Sequence, residues 1–154
     1  MKKRLLILFG FFVSPFLFSQ ILTVNSGSSI SIASGSSITL DGLEIAPSDT
    51  YVITGANDVS RSVTAVTAGA NSSVSRVYSS SALLSGFTGT LTFSYLEGEL
   101  NGITENELVL ELQSDDDSWT SYEGTVNETD NTITYTFSDA VSFKAVTASP
   151  TGAT

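Results

Sequence analysis

The sequence predicts an all-β protein whose fold is an immunoglobulin-like antiparallel β-sandwich, and three observations lead to that fold class. The chain is rich in Ser, Thr, Val and Gly; Thr and Val favour strands, whereas Ser and Gly favour turns. Apolar and polar residues alternate along short segments after residue 46, which is the strand period. Turn signals separate these segments about every 8–12 residues, a spacing typical of a sandwich.

The first element is predicted to be a secretory signal peptide covering residues 1–19. A basic start, Lys2 to Arg4, precedes an apolar run from Leu5 to Phe18 and then a Ser-rich polar stretch. A transmembrane anchor is the alternative, but the run is shorter than the roughly 20 residues a bilayer requires, and it contains Pro15. We expect cleavage between Ser19 and Gln20, a secreted or extracellular, cell-surface location, and no membrane span after cleavage.

Residues 20–45 form a Ser/Gly-rich repeat with a period of eight residues. Leu22–Ser29 and Ile30–Ser37 are two copies, and Ile38 begins a third. Each copy places two aliphatic residues two apart, on one side of a strand, before a turn of Ser and Gly. A flexible linker has no use for such pairs. The pattern favours a small meander or an incomplete β-solenoid coil that packs on the next segment.

Residues 46–149 are predicted to form the sandwich domain, and residues 150–154 a linker or truncated tail. One shared core between two sheets is expected for the inward-facing residues of three strands: Leu91, Phe93, Leu108, Leu110, Ile133, Tyr135 and Phe137. The other candidate strands are 50–54, 59–67, 74–79 and 141–145. Thr104 to Leu108 is expected to form one helical turn, since Thr104 and Glu107 have capping-box spacing.

The stretch from Gly89 to Phe143 resembles a β-sandwich module of large secreted and cell-surface proteins of bacteria. The residues that carry the resemblance are Leu91, Phe93, Tyr95, Glu99–Gly102, Glu105, Leu108, Leu110, Trp119, Asn131–Thr134 and Phe143. The Ser-Gln ending of the signal and the Ser-Gly repeat resemble the N-terminal parts of type IX-secreted proteins. These motifs are structural, so the resemblance implies a fold and no catalytic residue.

Charge limits the classes of partner. Three of the six basic residues lie in the predicted signal peptide, whereas all sixteen acidic residues follow it, so the mature chain carries a net charge of −13. Nucleic acids and anionic lipid surfaces are therefore excluded as partners, because both require an excess of Lys and Arg. The chain has no Cys and therefore no disulfide, so its stability depends on the core.

Catalytic residues are not predicted, and we expect that the chain is not an enzyme. His and Cys are absent, which excludes His-based triads, thiol nucleophiles and ordinary zinc sites. Glu97 with Glu99 and Glu105 with Glu107 are paired carboxylates of the kind glycosidases use, but we expect them on solvated faces of edge strands.

Two candidate binding sites remain. Asp115, Asp116 and Asp117 supply oxygen ligands for Ca²⁺, helped by Glu97 or Glu99, although their spacing matches no known calcium loop. A solvated hairpin loop is the alternative. Trp119 and Tyr122 are candidates for stacking on a sugar ring, and packing at the edge of the core is the alternative.

The predicted function is that of a non-catalytic structural or adhesive module, secreted or on the cell surface. The alternative is a carbohydrate- or calcium-binding module. The expected partners are a surface glycan or other modules of a longer protein. The type IX resemblance implies a further sorting domain, and Ala148–Thr154 has the Pro and Gly content of a linker. We therefore expect a sequence that continues beyond Thr154 in its natural context.

Overall fold

An antiparallel sheet that folds over itself into two layers forms the framework of the protein. The computed structural model describes residues 19–151, so the predicted signal peptide lies outside the described residues except for Ser19. The strands are β1 Ser19–Val24, β2 Ser29–Ile32, β3 Ile38–Leu40, β4 Leu43–Pro47, β5 Tyr51–Thr54, β6 Asn57–Ser62, β7 Thr67–Ala68, β8 Asn71–Ser72, β9 Val77–Ser94, β10 Leu108–Gln113, β11 Trp119–Tyr122, β12 Thr125–Asn127 and β13 Thr132–Pro150. Two short 3₁₀ helices span Glu97–Glu99 and Glu105–Glu107. The predicted all-β, sandwich-like fold is confirmed.

Two long, bent strands, β9 and β13, belong to both layers. The rings of Tyr78 and Phe93, near opposite ends of β9, lie 5.8 Å apart. Fifteen residues of straight strand would span about 50 Å, so β9 must fold back on itself. Gly86 and Gly89 have φ values of +68° and +129°, which favour glycine. The pairing of β13 with β9 shifts register between Phe137 and Val141, close to the same bend.

Each layer therefore takes one half of each long strand. The first layer has the order β1, β6, β9, β13, β10 and β11, and it uses the first half of β9 and the second half of β13. The second layer contains β3, β4, the second half of β9, the first half of β13, and β12. Two small sheets, β2 with β5 and β7 with β8, complete the described strands.

The N-terminal repeat wraps around the sandwich. Its three copies form β1, β2 and β3, which pair with β6, β5 and β4. The alternative of a meander is wrong, because adjacent copies do not pair with each other. Both complete copies end in the same turn, with Gly27 and Gly35 at φ +78°. Val24, Ile32 and Leu40, which are eight residues apart, are all buried, so the repeat inserts one aliphatic side chain per copy into the core.

The predicted core is present. Six of the seven residues assigned to it are buried, and Tyr135 is half-buried against the others. Several boundaries differ from the prediction. The end of the predicted strand 74–79 and the segment that carries Leu91 and Phe93 belong to one strand, β9, whereas the segment that carries Ile133 and the predicted strand 141–145 belong to β13. The residues between the predicted segments are not loops. They form the bend and its bulges, where the alternation of apolar and polar residues is interrupted. The predicted strand 59–67 ends at Ser62.

Three further elements can be compared with their predictions. A single turn does follow Thr104, but its side chain makes no capping hydrogen bond. The residues expected to begin the linker, Ala148 and Ser149, are buried and pair with β10, as does Pro150. Within residues 19–151, no helix has the length and apolar character that a membrane crossing requires.

Candidate functional site

Three aromatic side chains meet at the open edge between the two layers, which we call the aromatic mouth: Tyr122, Tyr135 and Phe137. Tyr122 ends β11 at the edge of the first layer, whereas Tyr135 and Phe137 lie on β13 in the second layer. Ring centroids are 5.1 Å apart for Tyr122 and Tyr135, and 4.9 Å apart for Tyr122 and Phe137. Burial raises the pKa of the Tyr122 hydroxyl, and the neighbouring Tyr135 adds to the shift.

The structure places the two predicted sugar-stacking residues on opposite faces of the sheet. Trp119 pairs with Gln113, and Tyr122 pairs with Leu110, so three positions separate them on one strand. Successive side chains alternate between faces, and an odd separation therefore points them apart. Trp119 and Tyr122 therefore do not form one stacking platform, and sugar stacking by either residue stays a prediction. Tyr122 lies on the core face with Tyr135, and Trp119 lies on the outer face.

The three predicted calcium ligands form the turn between β10 and β11. Asp116 is fully exposed and accepts hydrogen bonds from the Ser114 and Ser118 hydroxyls, and these bonds lower its pKa to about 2. Lys144 Nζ lies 2.7 Å from Asp117 Oδ1 and donates to the Asp115 carbonyl at 3.1 Å. The hydrogen bond to Asp117 raises the pKa of Lys144. The turn therefore already contains a cation, the ammonium group of Lys144.

Metal-binding geometry is not found in residues 19–151, where no group of three or more His, Cys, Asp or Glu residues is arranged to hold an ion. The expected helpers lie in the 3₁₀ helix at Glu97–Glu99, where each has another partner. Glu97 accepts from the Asn131 amide at 3.1 Å, and Glu99 binds Arg76. A shallow cavity of about 580 Å³ adjoins the turn and is lined by Leu83, Asp115, Asp116 and four Ser or Thr residues.

The sequence predicted the paired glutamates on edge strands. The structure instead places them in the two 3₁₀ helices. Glu99 forms a bidentate pair with the buried Arg76, with distances of 2.7 Å from Nε to Oε2 and 3.0 Å from Nη2 to Oε1. Glu105 accepts a hydrogen bond from the Tyr95 hydroxyl at 2.7 Å. Burial, reinforced by that bond, raises the pKa of Tyr95. Both carboxylates therefore act as internal hydrogen-bond acceptors.

Arg76 also ties the N-terminal repeat to the sandwich. Its Nη1 donates to the Asp41 carbonyl at 2.7 Å and to the Tyr78 hydroxyl at 2.9 Å, and that hydroxyl donates to the same carbonyl at 2.6 Å. Asp41 lies in the turn between β3 and β4 and is also paired with Arg61. Burial opposes the charge of Arg76, but the hydrogen bonds that it donates to Glu99 and Tyr78 outweigh burial and raise its pKa. We call Arg76, Glu99, Asp41, Arg61 and Tyr78 the arginine clamp.

A buried carboxyl group, Glu111, is the feature that sequence reasoning missed. It alternates with the core leucines of β10, so it lies on the other face, yet only 2% of its surface is exposed. Its Oε1 accepts hydrogen bonds from Ser121 and Ser149, both at 2.7 Å, whereas Oε2 has no partner among the described residues. The two serines come from neighbouring strands on either side, β11 and β13. No local sequence pattern reveals that arrangement.

Comparisons of the chain with protein-family profiles, with curated proteins and with solved structures found no match.

Proposed function

We propose that this chain is a non-catalytic, adhesive module of a secreted or cell-surface protein. The observation that carries the proposal is the use of its reactive side chains as internal braces. Glu99 is bound to Arg76, Glu105 to Tyr95, and Asp117 to Lys144. A catalytic acid or base must instead face a substrate within hydrogen-bond reach. These groups act to hold turns and strands in place.

The predicted export and the charge support the same role. A mature chain with a net charge of −13 remains soluble outside the cell and repels anionic surfaces. The arginine clamp and the wrapped repeat brace a fold that lacks disulfides. The resemblance to bacterial type IX-secreted and surface modules is consistent with this function, and it forms part of the proposal.

The experiment is an adhesion assay with the mature chain, residues 20–154, coupled to beads. We expect the beads to be retained on surfaces coated with neutral glycans, and we expect no release of reducing ends from those glycans. Beads carrying the same chain after thermal unfolding are the control. Hydrolysis that is lost in Glu105→Gln would contradict the non-catalytic assignment, because that variant keeps the shape of the side chain.

A carbohydrate-binding module is the second candidate, favoured by the aromatic mouth. Aromatic faces at an open edge are suited to stacking against the apolar face of a sugar ring. Such a module would adhere to a surface by binding a sugar on it. The two candidates therefore differ only in whether a single sugar-binding site explains the retention of the beads. Competition by free oligosaccharide in the bead assay separates them.

Calcium at Asp115, Asp116 and Asp117 is less well supported by the geometry, because the Lys144 ammonium already contacts the Asp117 carboxylate and the Asp115 carbonyl. Calcium binding would have to displace the Lys144 ammonium from Asp117. We therefore expect the melting temperature to be the same in 5 mM CaCl₂ and in EDTA. A ligand present at 100 times its Kd stabilises a folded protein by about 2.7 kcal/mol. An occupied calcium site would therefore raise the melting temperature measurably.

A further inference from the structure

The aromatic mouth exists because one edge of β13 is left open. β12 pairs with β13 only as far as Thr134, and β10 pairs with it only from Ala145 onward. Between these positions no described strand covers that edge. The gap leads into a cavity of about 260 Å³ between the layers, lined by Tyr122, Tyr135, Phe137, Ser138, Asp139 and Val141.

The rings in this cavity are held in fixed positions. Tyr135 and Phe137 have centroids 4.7 Å apart, and both contact Tyr122. Phe137 is buried and rests in turn on Phe87, 6.2 Å away. The two tyrosines are half-buried, so each keeps part of its ring accessible. A rigid aromatic surface loses little conformational entropy when it binds a ligand.

Hydrogen-bonding groups around these rings are free. Among the described residues, the hydroxyls of Tyr122 and Tyr135 have no hydrogen-bond partner, in contrast to those of Tyr78 and Tyr95. The exposed Asp139 likewise forms no ion pair within residues 19–151. Both tyrosines and Asp139 line the cavity, so two phenol groups and one carboxylate are close to any ligand that occupies it.

We propose that the aromatic mouth binds a neutral pyranose residue of an oligosaccharide, an inference that rests on the carbohydrate-binding candidate. The rings stack on the apolar face of the sugar, the Asp139 carboxylate accepts from its hydroxyls, and the phenol groups of Tyr122 and Tyr135 hydrogen-bond to the others. The charge of the site favours a neutral sugar over an anionic one. The cavity is lined by one acidic residue and no basic residue, and the whole chain is strongly acidic. The volume of about 260 Å³ lies just below the roughly 300–1,000 Å³ of drug-sized sites, which suits a single sugar ring.

The test is calorimetric titration of the mature chain with cellotetraose, xylotetraose and mannotetraose, and with tetragalacturonate as the anionic probe. At least one neutral tetrasaccharide should bind, and the anionic one should bind more weakly than the best neutral one. The double variant Tyr122→Phe, Tyr135→Phe keeps both rings and removes both hydroxyls, and we expect it to weaken binding about tenfold. Asp139→Asn should weaken binding by a similar factor.

Trp119→Phe is the matched control, because it changes an aromatic residue of the same strand on the opposite face. Its affinity should equal that of the unmodified protein, and the Trp119 indole NMR signal should not shift on titration. No binding by any neutral tetrasaccharide at 10 mM would overturn the proposal. Binding lost in Trp119→Phe and kept in the Tyr double variant would overturn the site while leaving a carbohydrate-binding function. Retention of beads without oligosaccharide competition would leave the adhesive function standing and place it elsewhere.

Discussion

Replacing Glu99 with Ala is expected to lower the free energy of unfolding by about 3 kcal/mol. The change removes both acceptors of the bidentate pair and leaves the Arg76 guanidinium, whose side chain is 8% exposed, with an unpaired charge. Removing one partner of a buried ion pair typically costs about 3–5 kcal/mol. The Glu99 side chain is 14% exposed, so water reaches the site and the lower end of that range applies.

The assay is urea unfolding of the mature chain, followed by circular dichroism and by the fluorescence of the lone Trp119. Glu97→Ala is the matched control, since Glu97 belongs to the same 3₁₀ helix but is exposed and accepts one hydrogen bond from Asn131. It should cost about 0.5 kcal/mol or less. Glu99→Gln keeps the shape and removes the charge, so an intermediate loss is expected. Equal losses for Glu99→Ala and Glu97→Ala would refute the argument that the arginine clamp stabilises the fold.

Three other predictions concern the core, the bend and the acidic turn. Phe93→Ala should cost about 3–5 kcal/mol in urea unfolding, because the side chain is fully buried against Tyr78. Gly89→Ala should destabilise more than Gly86→Ala: a Cβ at residue 89 would overlap the Ala46 carbonyl oxygen, whereas one at residue 86 meets nothing within 4 Å. Asp116 should titrate near pH 2 by carboxyl NMR, and Ser114→Ala should raise that midpoint towards the ordinary value of about 3.9.

Each of these predictions has a result that contradicts it. A loss below about 1 kcal/mol for Phe93→Ala would mean that its face is not the core face. Equal stability of the two glycine variants would show that the bend does not approach the β4 backbone closely. The lowered pKa of Asp116 stabilises the folded state above the unfolded pKa, and this contribution is lost as the pH falls through about 2. A midpoint unaffected by Ser114→Ala would exclude its hydroxyl as the cause, and Ser121→Ala should leave it unchanged.

Much of the fold could be predicted from the sequence because the strands obey simple alternation. Leu91 and Phe93, or Leu108 and Leu110, are two apart and lie together in the core, as expected. The eight-residue repeat predicted aliphatic pairs on one side of a strand, and the second residue of each pair, Val24, Ile32 or Leu40, is the buried one. The sequence could not predict that β9 and β13 are each one continuous strand. In β9, Gly86 and Gly89 are residues typical of a loop. Long-range pairing with β13 and, at Gly89, with β4 keeps that segment in the sheet.

The candidate sites were harder to predict, for two physical reasons. The mouth joins Tyr122 of one layer to Tyr135 of the other, and their proximity depends on how the layers cross. The arginine clamp joins Arg76 to Glu99 across 23 positions through a turn that no local pattern fixes. The opposite faces of Trp119 and Tyr122, by contrast, follow from strand alternation alone once both are assigned to one strand.

Strands shared by both layers also determine how the protein can open. In a sandwich built from separate strands, one sheet can loosen while the other remains folded. Here β9 and β13 each continue from one layer into the other. Separating the layers therefore requires breaking the hydrogen-bonded pairing between these two long strands. Backbone amides in the regularly paired parts of β9 and β13 on either side of the bend, around Phe93 with Ile133 and around Tyr78 with Val146, should therefore exchange with deuterium only through global unfolding, at one common rate. Amides of the small β2–β5 and β7–β8 sheets can exchange by local opening, and they should be labelled first.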